Sequence, residues 1–119
     1  MAWKFSSDKL IYMQIAERII LSIISGEYAP GEQIPSVRQL ALSAAVNPNT
    51  VQHAFTELEN EGIIISRGTV GRYVTDNIEV IESCRKKTAE QTVTEFARNI
   101  QPLGLKKDEI IKMLEEKLT

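Results

Sequence analysis

The chain has 119 residues, of which 43% are hydrophobic and 25% charged, and it carries a formal net charge of −2. That length suffices for one domain with a proper core and a modest appendage, and no apolar run nears the roughly 18 residues that suggest a membrane span. Met1–Phe5 lacks the charged-then-apolar layout of a secretory signal, and the one cysteine, Cys84, forms no internal disulfide, so a reducing cytoplasm is the expected setting.

In chain order, the first expected helix runs from about Ile11 to Ser25. Ile15, Ile19 and Ile23 recur every four residues as one apolar stripe, and Met13, Ile20 and Ile24 form a second on another side. Gly26 follows as a cap, and Pro30-Gly31 marks a turn. Ser36 opens a second helix, three residues before Gln39, at capping-box spacing. Its inward face is Val37, Leu40 and Ala41, and it is expected to end near Ala44-Ala45. Asn47-Pro48 starts a third, with an acceptor at the N-cap and proline at the first helical position. Val51, Ala54, Phe55 and Leu58 fall at i, i+3, i+4 and i+7 and point inward, and Gly62 ends the helix. Two helices so closely joined make a helix-turn-helix pattern.

Ile63–Ser66 reads as a short strand, Arg67–Gly71 as a glycine-bearing turn and Arg72–Thr75 as the returning strand, which together form a wing. Asp76-Asn77 reads as a domain boundary. A long helix with a thin apolar stripe is expected from Ile78 to about Ile100, a break at Gln101–Gly104, and a last short helix from Lys107 to Leu118. The fold class is thus mainly α with a small β-hairpin. Residues 1–76 form a winged helix-turn-helix DNA-binding domain and residues 77–119 a helical tail for dimerisation.

On a helical wheel, Asn49, Gln52, His53, Thr56 and Asn60 lie opposite the inward face of the third helix. Amide, hydroxyl and imidazole groups donate and accept in the fixed patterns that major-groove base edges require, and a glutamine or asparagine can pair with adenine through two bonds. The helix starts at Ser36 and at Asn47-Asn49-Thr50 offer unpaired N–H groups to phosphates. Arg38 sits in a first turn, against the helix dipole, so an external anion is its expected partner; the alternative is a surface pair with a carboxylate such as Glu32. Arg67 and Arg72 beside Gly68 and Gly71 suit a wing that enters the minor groove. Residues 1–76 hold six Lys and Arg against eight Asp and Glu, so placement must outweigh net charge. Glu57, Glu59 and Glu61 are expected at the far end of the helix, away from that surface. With one histidine, no metal-ligand spacing and no phosphate loop or nucleophile elbow, the chain reads as no enzyme, with no metal and no cofactor.

The run from Ser25 to Ala41, SGEYAPGEQIPSVRQLA, resembles the opening G-x-L-x-P-G-x-x-L-P-S-x-R-x-L-A segment of the GntR family of bacterial transcription regulators. Asn47–Val51, Leu58–Ile63 and Gly71–Val74 continue the likeness over about residues 8–75. The short helical tail resembles that of the YtrA-like subfamily, whose members lack a large effector domain. The resemblance implies a repressor that binds an inverted repeat as a homodimer and controls, as kin often do, a neighbouring transporter operon. It carries DNA contact over to Arg38, to Asn47, Asn49 and Thr50, and minor-groove approach to Gly71. Many relatives carry arginines where this chain has Pro48 and Gln52, which implies a different base preference and a shallower salt dependence.

Twofold pairing lets two half-sites be read together. Ile81, Val93, Phe96, Ile100, Leu105, Ile111 and Leu114, with Leu103 and Leu118, need a cover that a second copy supplies; a tail folded back on a monomer is the alternative. Double-stranded DNA and a homodimer are the expected partners, no membrane is involved, and a small-molecule effector stays open. A winged-helix protein-interaction module is the alternative function.

Overall fold

The computed structural model describes residues 3–69 and 71–119. Its elements are α1 (Ile11–Ile24), α2 (Val37–Ala44), α3 (Pro48–Asn60), β1 (Ile64–Ser66), β2 (Arg72–Val74), α4 (Ile78–Ile100) and α5 (Lys107–Lys117), with a 3-10 turn at Gln101–Leu103. They fall into two compact units, Met1–Arg85 and Lys86–Thr119.

In the first unit, Ile15, Ile19 and Ile23 of α1 are buried, and α1 lies against α3. Leu10 precedes α1 without a side-chain cap. Gln14 ties down the approach instead: Ser6 N–H donates to its Oε1 (2.8 Å), and its Nε2 donates to the Ser6 and Lys9 carbonyls (2.8 and 2.9 Å). The capping box of α2 forms as expected, with Gln39 N–H donating to Ser36 Oγ (3.1 Å) and Ser36 N–H to Gln39 Oε1 (2.8 Å). Ala45 ends α2 in the left-handed conformation (φ 57°, ψ 47°), a strain of about 1–2 kcal/mol for a residue with a Cβ. That sharp stop lets α3 begin only three residues after α2. Asn47 caps α3 by accepting from Asn49 N–H (2.8 Å).

The wing is the antiparallel pair β1–β2, with Ile64 opposite Val74, Ile65 opposite Tyr73 and Ser66 opposite Arg72. Its loop closes through Arg67 N–H to the Gly71 carbonyl (3.0 Å); Val70, part of the expected turn, lies outside the described residues. An extra rung runs beside β2 along residues 31–34. Ile34 N–H donates to the Arg72 carbonyl (3.0 Å), Val74 N–H to Glu32 (2.9 Å) and Gly31 N–H to Val74 (3.0 Å). Gly71 holds φ at +125°, where a Cβ would sit 2.8 Å from Gln33 Nε2, so only glycine fits there without strain.

The domain boundary lies later than the expected 76/77. Ile81 is buried in the core of the first unit at 6% exposure, and Val80 and Cys84 pack against that core. Arg85 Nη1 donates to the Ile24 carbonyl at the end of α1 (2.9 Å), serving an acceptor that α1 itself leaves open. The opening turns of α4 therefore belong to the winged unit. Ile81, expected among the dimerising residues, is a core residue instead, because the first turns of α4 bring it into the buried cluster of the winged unit.

In the second unit, the rest of α4 leads through the 3-10 turn into α5, with Gly104 left-handed at φ 74°. No residue from 86 to 119 is buried. Ile100, Ile110 and Leu114 are half-buried, while Val93, Phe96, Leu103, Leu105, Ile111 and Met113 are exposed. No helix among the described residues is long and apolar enough to cross a membrane.

Two substitutions check this account. Ile81→Ala should destabilise the chain by about 2–5 kcal/mol in urea unfolding, as a core truncation does; wild-type stability would return Ile81 to the tail. Gly71→Ala should cost about 1 kcal/mol or more in the same assay, and an unchanged midpoint would mean that the wing backbone relaxes freely.

Candidate nucleic-acid interface

Helix α3 is held from behind. Val51, Ala54, Phe55 and Leu58 are fully buried, whereas Asn49, Gln52, His53, Thr56 and Asn60 are exposed. The polar side therefore faces solvent as the periodicity predicts. Asn47 and Asn49 are exposed and Thr50 is half-buried at the start of the helix, where the first N–H groups lack helical acceptors.

An open groove of about 830 Å³ lies between the start of α2, the middle of α3 and the wing. Ser36 and Arg38 form one wall, Gln52 and Phe55 the floor, and Gly71 and Arg72 the other wall. Ser36, Arg38, Gln52, Gly71 and Arg72, singled out separately along the sequence, thus meet on one surface. Asn47, Asn49, Thr50, His53 and Arg67 lie outside its lining. Tyr28 also lines the groove. Burial, then Glu27 and Glu32, push its phenol above the ordinary value against the opposing pull of Arg18, so it stays protonated as an O–H donor at neutral pH.

The cations divide into two kinds. Arg38 is exposed and makes no hydrogen bond or ion pair with any described residue, so the alternative, a surface pair with a carboxylate such as Glu32, does not form. Glu32 instead accepts from Ala29 N–H (2.9 Å). The wing arginines are engaged. Arg67 lies over the Tyr73 ring (4.8 Å) and pairs with Asp76 (3.4 Å). Arg72, expected beside the wing glycines, reaches back onto α3: its guanidinium lies over the Phe55 ring (4.9 Å), and it donates to Glu59 (3.2 Å) and Gln52 (3.4 Å). Glu59 is therefore not remote from this surface, since the wing folds over it. Glu57 is not remote either, lying 3.9 Å from His53 one turn earlier.

His53 carries a partner that periodicity does not show. Tyr12 of α1 stacks on its imidazole, with 3.6 Å between centroids and 13° between planes. The ring is fixed in place while its side chain stays half exposed. Tyr12 is the residue that sequence reasoning missed. Its signal was an aromatic three residues before Ile15, on the side of α1 that carries the buried stripe. Among the described residues, no group of His, Cys, Asp and Glu could hold a metal ion.

Residues 11–74 match the family model described as bacterial regulatory proteins of the gntR family. The chain is 34% identical to the uncharacterized HTH-type transcriptional regulator YhcF of Bacillus subtilis, over 92% of this chain and 90% of that protein. It is 43% identical to the HTH-type transcriptional repressor YtrA of the same organism, over 60% of this chain and 55% of that one. A GntR family transcriptional regulator from Listeria monocytogenes superposes with a TM-score of 0.85 at 36% identity, covering 94% of this chain and 98% of that one. The DNA-binding domain of AraR, solved in complex with operator ORX1, superposes with a TM-score of 0.57 at 25% identity, over 63% of this chain and 95% of that one. These relatives are transcriptional regulators, not enzymes, and the chain belongs with them to the GntR family, as a YtrA-like transcriptional regulator.

Proposed function

We propose that this regulator is a repressor that reads an inverted-repeat operator as a homodimer. The observation that carries the reading is the single groove in which the α2 start, the polar side of α3 and the wing converge. Helix α3 lies in the major groove, where Asn49, Gln52 and His53 face base edges. Ser36, Arg38, Asn47 and Thr50 hold phosphates through N–H groups, one hydroxyl and one guanidinium. Gly71 brings the wing backbone close to the minor groove, with Arg67 beside it. AraR supports the placement because that domain was solved on operator DNA, and YtrA supports repression by its name.

The dimer reading rests on the second unit. Val93, Phe96, Leu105 and Ile111 are exposed on two helices that bury nothing by themselves, with Ile100 and Leu114 half covered. A second copy closes that surface through an isologous contact. In the first unit, a concavity of about 250 Å³ lined by Trp3, Arg18, Tyr28 and Leu40 has room for a small-molecule effector.

A mobility-shift titration with the chain's own promoter tests the first claim: a discrete shift is expected, and none at low salt would return the chain to a protein-interaction role. Arg38→Ala should weaken binding by about 1–3 kcal/mol and lower the slope of log affinity against log salt by about one. Unchanged affinity would remove Arg38 from the interface. Phe96→Asp with Leu114→Asp should convert a dimer to monomers in analytical ultracentrifugation; a wild-type chain already monomeric would sink the pairing.

A further inference from the structure

We infer that Arg72 sets base preference without touching a base, by locking the Gln52 amide so that it presents a donor to DNA. The inference rests on α3 entering the major groove as proposed above.

The orientation of Gln52 follows from the hydrogen inventory of its neighbours. Arg72 can only donate, so the Gln52 atom facing it at 3.4 Å must be Oε1. The Thr56 hydroxyl spends its one proton on the Gln52 backbone carbonyl (3.0 Å), so toward the side chain it can only accept. The atom facing it at 3.4 Å must be Nε2. Both neighbours select the same rotamer. Arg72 is itself held from two sides, by the Glu59 carboxylate at 3.2 Å and by the face of the buried Phe55 ring. Its side chain is only 23% exposed, so the guanidinium is a fixed part of the groove wall rather than a mobile cation.

A free glutamine reads adenine through two bonds, giving a proton to N7 and accepting one from N6. With Oε1 turned to Arg72, the acceptor half of that pattern is taken up, and what reaches outward is the remaining Nε2 proton. Such a group suits an edge made of acceptors. Guanine offers O6 and N7 together to that proton, whereas adenine accepts it at N7 alone and sets an N6 donor beside the Nε2 donor. The lock thus assigns Gln52 a guanine edge in place of the two-bond adenine pair that a free amide can make. Arg72 and Glu59 act as positioning residues, and Gln52 is the reading residue.

The test is a selection from a randomised duplex library with the full-length chain, repeated with Gln52→Met and with Arg72→Met. Gln52→Met changes an exposed residue and marks the base position that Gln52 reads, because preference there flattens. In the wild type that position should be guanine, favoured over adenine by about fivefold or more. Arg72→Met keeps an apolar stem for Phe55 but frees Oε1, and should shift the same position toward adenine. Guanine there with that shift supports the lock. Adenine in the wild type, or no flattening by Gln52→Met, overturns the lock while leaving DNA binding intact. If Arg72→Met proves unstable, Glu59→Gln loosens Arg72 from its other side and should move the preference in the same direction; an unmoved guanine would overturn the lock. Failure of every duplex to be selected overturns the functional reading and this inference with it.

Discussion

The contact between the α1 stripe of Ile15, Ile19 and Ile23 and the inner side of α3 sets the orientation of everything that faces outward. Phe55, fully buried beneath Val51, Ala54 and Leu58, fixes the rotation of α3 about its own axis. A rotation that exposed Phe55 would bring Gln52 and His53 inward, and burying those amide and imidazole groups unpaired would cost several kcal/mol. The polar face is thus a consequence of the core. The same buried ring presents its face to Arg72, so the core also determines where the wing's guanidinium rests.

Charge placement follows from that arrangement. A chain with net charge −2 gains no attraction for a polyanion from its overall charge. Arg67 and Arg72 are paired within the unit, so in the proposed complex the phosphate contacts fall to Arg38, the N-terminal ends of α2 and α3, and neutral side chains. Affinity built from dipoles and oriented N–H groups releases fewer counterions than affinity built from lysines. It depends more on geometry, so the capping box at Ser36 and the Asn47 cap would serve the proposed interface as well as the fold.

The α-helical frame was legible because its signals are local. Ser36 and Gln39 at capping distance, Asn47-Pro48, and the i, i+3, i+4, i+7 pattern in α3 each state a helix boundary or a face within one or two turns of chain. The features that escaped are all long-range. Residues 31–34 join the sheet through backbone hydrogen bonds, which side-chain pattern does not record. Ile81 looks like any other member of the thin α4 stripe until the fold draws it into the core cluster of the first unit. Tyr12 with His53, and Arg72 with Glu59, link elements 41 and 13 residues apart, and wheel or strand periodicity describes each element singly.

Those same long-range pairs carry what separates this chain from a generic winged helix-turn-helix. Fold and orientation follow from apolar spacing that many sequences share, so they set what kind of ligand is met but not which sequence is preferred. Preference depends on which hydrogen-bonding half of each amide is free, and that is decided by neighbours brought in from elsewhere. Gln52 illustrates the point: alone it is indifferent to its two rotamers, and a guanidinium from the wing and a hydroxyl one turn along α3 choose between them. A guanidinium held at the groove wall by Glu59 and Phe55 thus governs, on the proposed reading, the base edge presented four residues before Thr56.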